Sequence, residues 1–424
     1  MFATFLNKFN LILSERNLRN RILFVVTALA VFRLGASIPI PGVEVFQLER
    51  FLAENQFLGL LNVFSGGGLS TLSIFMLGVG PYITASIIMQ LLTFVFPSLK
   101  QLFHEEGEAG RRKVAQYSRL LTVPLAVIQG LSLLVLLERQ GVLMNLTMFD
   151  RVTNIFVVVA GSLLVTWIGE LITEFGIGNG VSLLIFAGIV SRFLPTLMQL
   201  WLTFDIAQAP MYLVFALIAL IIVAAVVFVT EAERPIPVTY AKRVRGMKMY
   251  GGMSTYLPIR VNNAGVMPII FALSILLFPQ MIFGFLAGYD NEFISNVASF
   301  INSLLNNNWL YAGLYFLLVF AFTYFYSAVT FDPEAISTNL QKNGAFIPGV
   351  RPGRSTAEYL SKILTRLTLI GAIFLGFVAV LPILLRSLTG IASLSIGGTS
   401  LLIVVSVALE FVKQVDAQVS MREY

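Results

Sequence analysis

The chain has 424 residues, 57% of them hydrophobic and 12% charged, with a mean hydropathy of +0.85. That balance lies outside soluble globular composition and describes a chain that crosses a membrane many times. The net charge of +6 needs no nucleic-acid partner, because basic residues concentrate in loops on one membrane face. With no Cys in the chain, disulfides, zinc–thiolate sites and cysteine nucleophiles are excluded. The single histidine, His104, stands beside Glu105 and Glu106 and reads as a solvated loop residue.

Residues 1–20 carry Phe2, Phe5, Leu6, Phe9, Ile12 and Leu13 at helical spacing among polar residues, without a small-residue cleavage pattern after them. The spacing predicts an amphipathic helix on the cytoplasmic bilayer surface rather than a cleaved leader. Ten charge-poor apolar runs follow, at 22–38, 72–96, 120–137, 152–169 and 181–200, then 211–230, 264–287, 309–330, 367–385 and 394–412. The expected fold is an all-α membrane protein with ten transmembrane helices in two pseudo-symmetric five-helix halves, residues 21–204 and 205–413, before a cytoplasmic tail at 414–424. Five spans per half make the second half enter from the opposite side, giving an inverted repeat, although the halves show little direct sequence similarity.

Between the first two spans lies a short apolar stretch, Phe57, Leu58, Leu60, Leu61, Val63 and Phe64, ended by Gly66-Gly67-Gly68. As a helix it is roughly 12 Å long, too short for a hydrocarbon core of about 30 Å. Such a broken segment either lies on the outer surface or dips into a cavity enclosed by protein, since lipid cannot satisfy its backbone.

Lysine and arginine set the orientation. With the N-terminus inside, all 28 of them fall on the inner face except Arg33, Arg50, Arg139, Arg151, Arg192 and Arg386, which places both termini in the cytoplasm. Two inner loops, 231–263 and 331–366, are long, basic and rich in Pro and Gly. Their length exceeds what orientation requires, so they read as a docking platform, the alternative being plain solvated loops.

The membrane centres are informative through what they lack. Glu170 and Glu174 lie at the inner end of the fourth span, Glu410 near the inner end of the tenth, and Arg33 at the outer end of the first. An ion-coupled solute transporter is expected to place a charged group mid-membrane, and none is there. Ser162 follows Gly161 in a span without a histidine base in reach, and no Walker-type loop is present, so no enzyme is expected. A membrane scaffold that merely docks a cytosolic partner is the other rival, and it leaves the broken half-helix without a use. Ile83 and Ile87, Ile185 and Ile189, Ile270 and Ile403 lie on four spans. Spacing leaves them open between ordinary packing residues and a constriction that excludes water by dewetting.

Seven stretches, in order along essentially the whole chain, carry a resemblance. They are Phe64-Ser65-Gly66-Gly67-Gly68-Leu69-Ser70, Gly80-Pro81-Tyr82-Ile83-Thr84-Ala85-Ser86, Gly176-Ile177-Gly178-Asn179-Gly180 and Tyr240-Ala241-Lys242-Arg243. Then come Asn263-Ala264-Gly265-Val266-Met267-Pro268, Arg351-Pro352-Gly353 and Gly397-Gly398-Thr399-Ser400-Leu401-Leu402-Ile403. Together they resemble the SecY family, the central subunits of the bacterial Sec protein-translocation channel (the SecYEG translocon). The resemblance implies an hourglass pore for unfolded secretory polypeptides, without cofactor or metal, in the bacterial cytoplasmic membrane. It implies a plug at 57–70, including Phe57, Leu60, Leu61, Val63, Phe64, Ser65, Gly66, Gly67 and Gly68. It also implies a pore ring of the six isoleucines. A lateral gate is implied between the second and third spans and the seventh and eighth, through which signal sequences and transmembrane segments reach lipid. Gln90 and Thr93 are candidates to line that gate, the alternative being an interhelical hydrogen bond. Lys242, Arg243, Arg245, Arg351, Pro352 and Gly353 become docking candidates for the SecA ATPase or a ribosome, and the small subunits SecE and SecG are implied as partners. The sequence departs from the family pattern at Arg234-Pro235-Ile236-Pro237, which leaves the local loop conformation open.

Overall fold

The computed structural model describes residues 15–41, 62, 65–104, 107–139, 141–143, 147–202, 209–240, 243–245, 248–250, 254–286, 292–389 and 397–420. In the first half, α1 (Arg16–Ala36), α2 (Gly80–Val95), α3 (Pro97–His104), α4 (Gly107–Arg139), α5 (Met148–Phe175) and α6 (Gly180–Leu202) follow in order. The second half opens with α7 (Ala209–Glu231), then β1 (Glu233–Tyr240), β2 (Arg243–Arg245), β3 (Lys248–Tyr250) and β4 (Ser254–Arg260). It continues with α8 (Met267–Leu286), α9 (Glu292–Asn306), α10 (Asn308–Thr330), α11 (Pro333–Lys342), β5 (Ala345–Phe346), α12 (Arg354–Thr389) and α13 (Gly397–Ser420). Among the described residues, five helices are long and apolar enough to cross a membrane, the stretches being Ala109–Glu138, Met148–Phe175, Tyr212–Glu231, Asn308–Lys342 and Arg354–Leu384. The count of ten spans does not follow from helix length alone.

Local chemistry sets the helix boundaries. Pro81 sits in the first turn of α2, where a missing N–H is harmless, and Pro97 forces Phe96 into extended backbone (φ −102°, ψ 115°), ending that helix. A capping box starts α5: the Thr147 hydroxyl accepts from the Asp150 N–H at 3.2 Å while the Asp150 carboxylate accepts from the Thr147 N–H at 3.0 Å. The Asn307 side chain caps α10, and Asp332 with Pro333 opens α11.

The second span differs from the expectation of one continuous helix over 72–96. Residues 65–79 form turns interrupted by one antiparallel bridge from Ser73 to Pro39, and only Gly80–Val95 is helical, about 24 Å. This irregular stretch is enclosed, with Leu69, Leu72 and Met76 fully buried, as non-helical backbone at membrane depth must be. Its polar groups find partners. The Ser162 hydroxyl donates to the Gly78 carbonyl at 2.9 Å, the Thr71 hydroxyl to the Ala36 carbonyl at 2.8 Å, and the Ile40 N–H to the Leu72 carbonyl at 2.8 Å.

Other boundaries shift as well. Residues 16–20 open α1 instead of closing a separate surface helix, residues 414–420 continue α13, and His104 ends α3. The helix α9, between the expected seventh and eighth spans, was not anticipated, nor was the extension of α12 back to Arg354.

Within the first half α4 packs on α2 and α5, and α1 on α5 and α6; within the second, α10 packs on α8 and α12, and α7 on α13. The halves meet along two seams, α8 against α2 and α4, and α13 against α6.

Beyond this helical core, the two long loops form a sheet of order β4-β1-β5. The proline-rich β1 fits it by parity. The Val261 N–H bonds the Ala232 carbonyl at 2.9 Å, which makes 232 and 261 a hydrogen-bonded pair. Alternation then puts Pro235↔Pro258 and Pro237↔Tyr256 in non-bonded pairs, where no N–H is needed toward β4. Pro235 and Pro237 face out while Ile236 and Val238 are buried with Ile259, Ile347, Leu360 and Ile363 in a small core of their own.

Candidate pore constriction and docking platform

The isoleucines come from helices far apart in sequence. At i, i+4 spacing, Ile83 and Ile87 share one face of α2, and Ile185 and Ile189 one face of α6. The fold brings Ile83, Ile87, Ile185, Ile270 and Ile403 into one apolar cluster, with Ile189 partly buried against it. Ile87, Ile185 and Ile403 are each 1% exposed. Four helices, α2, α6, α8 and α13, therefore bring isoleucines to one large apolar core, the region of the expected waist.

A cavity of about 390 Å³ opens beside this waist, and Ile83 and Ile270 line it. Its polar rim contains an ion pair that the sequence reading missed, Arg119 Nε on α4 with Glu170 Oε1 on α5 at 2.5 Å. Sequence offers one signal for it: a carboxylate at the end of an apolar span needs a cation nearby. Nothing in the sequence says which one.

Of the expected plug, Phe57, Leu60, Leu61, Val63 and Phe64 lie outside the described residues. Ser65, Gly66, Gly67 and Gly68 form turns. Gly66 has φ 63°, in the left-handed region, and it abuts Gly188 of α6 so closely that a Cβ on Gly188 would stand 2.1 Å from the Gly66 Cα. Gly188 is the neighbour of Ile189, so the segment leaving residues 57–64 rests on a helix of the waist.

Gln90 and Thr93 are both on α2. The Thr93 hydroxyl donates to the Gln90 carbonyl at 2.6 Å, and Gln90 Nε2 lies 3.4 Å from the Ser86 hydroxyl. These bonds stay inside α2, unlike the interhelical bond held open as the alternative. Gln90 Oε1 is buried with no hydrogen-bond partner among the described residues. The seam beside them is closed by aromatic rings. Phe94 of α2 meets Phe325 of α10 with centroids 4.9 Å apart, and Phe271 of α8 stands edge-on to Phe322 and Tyr326 of α10.

The long loops act as one body because β1 pairs with both β4 and β5. Arg351 and Pro352 are exposed at a turn. Gly353, at φ 97°, accepts at its carbonyl from the Ser337 hydroxyl at 2.6 Å, and the Arg351 carbonyl accepts from the Thr356 hydroxyl at 2.8 Å. Arg243 and Arg245 lie on β2, opposite Tyr250 and Lys248 of β3. Lys242 lies outside the described residues.

Comparison with known proteins places the chain in a family. A family model described as SecY matches residues 73–412. The chain is 43% identical over 416 residues to the protein translocase subunit SecY of Synechocystis sp., covering 96% of this chain and 93% of that one. Among solved structures, a SecY protein whose plug domain stabilises the closed state of its translocation channel and maintains a membrane seal matches with a TM-score of 0.65, at 19% identity over 95% of this chain and 93% of that one. Sec61 in the canine ribosome–channel complex matches with a TM-score of 0.58, at 17% identity and the same coverages. The chain shares the fold of these channels, and by sequence it belongs to the SecY family.

Proposed function

We propose that the chain is the central subunit of a protein-conducting channel. It moves unfolded secretory polypeptides across the bacterial cytoplasmic membrane and releases transmembrane segments sideways into lipid. The observation that carries this reading is the convergence of Ile83, Ile87, Ile185, Ile270 and Ile403, from four helices, in one charge-free cluster with Ile189 against it. Apolar side chains around a pore exclude water and ions by dewetting, yet yield to a passing chain because they make no directional bonds. The channel has no catalytic step of its own, so the driving energy comes from a motor or the membrane potential.

Residues 57–70 close the resting pore from the outer side, with Ser65 to Gly68 as the hinge seated on Gly188. The seam between α2 with α4 and α8 with α10 is the lateral gate, and Gln90 and Thr93 line it. The united loop platform faces the cytoplasm, as do both termini. Its docking residues for the SecA ATPase or a ribosome are Arg351 on the Pro352-Gly353 turn, Arg243 and Arg245 of β2, and Lys242. SecE and SecG complete the complex.

The test is single-channel conductance of the full chain with its small partner subunits in planar bilayers, against a variant lacking residues 57–70. A closed parent and a leaky deletion are expected. Silence from both contradicts the plugged pore.

A further inference from the structure

The cavity beside the waist has two chemistries. Its floor is apolar, with Val181 of α6 and Met267, Ile270 and Phe271 of α8; its rim holds the Arg119–Glu170 pair. At about 390 Å³ it falls within the range of ligand pockets. Glu174 lies at the same rim but also borders a neighbouring groove with Arg21, which Glu170 does not line. The pair is open to solvent on the arginine side, with the Arg119 side chain 53% exposed and that of Glu170 21%. A partly exposed pair of this kind holds its helices by no more than about 1 kcal/mol. A second cation can therefore exchange for Arg119 at little net cost, provided that something else holds it in place. The apolar floor is that something.

We propose that this cavity is a seat for the charged end of an incoming polypeptide segment: a Lys or Arg standing immediately before an apolar run takes Glu170 from Arg119, while the run lies over Val181, Met267, Ile270 and Phe271. That chemistry is the make-up of an export signal, a basic stretch followed by about 7–15 apolar residues. The inference rests on the channel reading above and deepens it by naming the feature of the substrate that the site reads. The exchange has a mechanical consequence. Arg119 ties α4 to α5 within the first half, and α4 is also one of the helices that face α8 across the seam. Releasing Arg119 frees α4 from that tie while the apolar run is already lying against α8.

The experiment compares two precursors, identical except that one carries basic and the other neutral residues before its apolar run, in proteoliposomes holding the full chain and its small partner subunits and supplied with the motor ATPase and ATP. The readout is the ratio of their initial translocation rates. Glu170→Gln is expected to lower the basic-to-neutral ratio about two- to fivefold, the size of one such ion pair. Arg119→Gln, which leaves Glu170 free for the substrate, is expected to raise it. The exchanged variant R119E/E170R keeps an ion pair but moves the acid to α4, and the ratio is expected to stay low. A ratio unmoved by Glu170→Gln overturns the seat. So does a fall with Arg119→Gln, or restoration by the exchanged pair, either of which makes the pair purely structural. If the unmodified complex moves neither precursor, the channel reading itself falls and takes the seat with it.

Discussion

The inside of each half and the seam between the halves are held by different kinds of contact. Within the first half, α4 and α5 are joined by Arg119–Glu170 and by Arg151–Glu138, and the irregular stretch before α2 is fastened by the Ser162 hydroxyl. Within the second, α10 and α12 share a buried pair of hydroxyls, Ser327 and Thr368, at 2.9 Å, and Lys413 of α13 pairs with Glu231 of α7 at 2.7 Å. Across the α2–α10 contact the described interaction is ring against ring, Phe94 with Phe325, backed by Phe271, Phe322 and Tyr326. Directional bonds, each modest, recur within each half. Rings that part in hydrocarbon lose packing but little hydrophobic energy, because lipid tails are as apolar as they are. On the proposed reading, the α2–α10 contact is the weaker closure and the place where the lateral gate would part.

The largest expected effect comes from wedging the waist. Gly188→Val puts side-chain atoms where the Gly66 backbone now lies, and such overpacking costs about 1–3 kcal/mol or more. We expect the turn at 65–68 to lift, seen as raised resting conductance and a lower melting temperature of the purified complex. An unchanged Tm and a tight channel break the claim that this turn is seated on α6.

The seam is tested by locking it. Because the chain has no native Cys, F94C/F325C can be joined selectively by a short bis-methanethiosulfonate linker that spans the space the two rings fill, their centroids being 4.9 Å apart. Cross-linking is expected to block insertion of transmembrane segments and to be reversed by reductant. Unimpaired insertion in the cross-linked form places the exit elsewhere.

Smaller effects sharpen the contrast. Ser327→Ala and Thr368→Ala are each expected to cost about 1 kcal/mol, with a coupling of about 0.6 kcal/mol in a double-mutant cycle, read by unfolding of the complex. Neither should raise lateral release. Smallest is Pro235→Ala, expected within about 0.5 kcal/mol, because its position asks for no N–H toward β4.

Much of the core was legible in the sequence because the apolar runs are long and charge-free. The isoleucine pairs at i, i+4 were visible too, but spacing alone left them open, since burial of five side chains from four helices, with Ile189 against them, is a matter of long-range packing. The break before α2 was misjudged because residues 72–79 are apolar, and apolarity does not distinguish a buried turn from a span. Only their enclosure by α5, through Gly161 and Ser162, makes the irregular backbone tolerable. The Arg119–Glu170 pair and the Phe94–Phe325 contact were illegible, since each joins residues far apart in the chain. The prolines at 235 and 237 left the local conformation open in the sequence, and the register places them where no hydrogen bond to β4 is lost.

The central claim is that the isoleucine waist is the seal. Its most direct test is ion conductance of I87N/I403N in planar bilayers beside the parent channel, both with their small partner subunits. Two carboxamides at positions 1% exposed bring hydrogen-bonding groups into the waist and let water wet it. The account predicts a resting leak well above the parent's, with the complex still assembled; conductance equal to the parent's in an assembled double variant contradicts it.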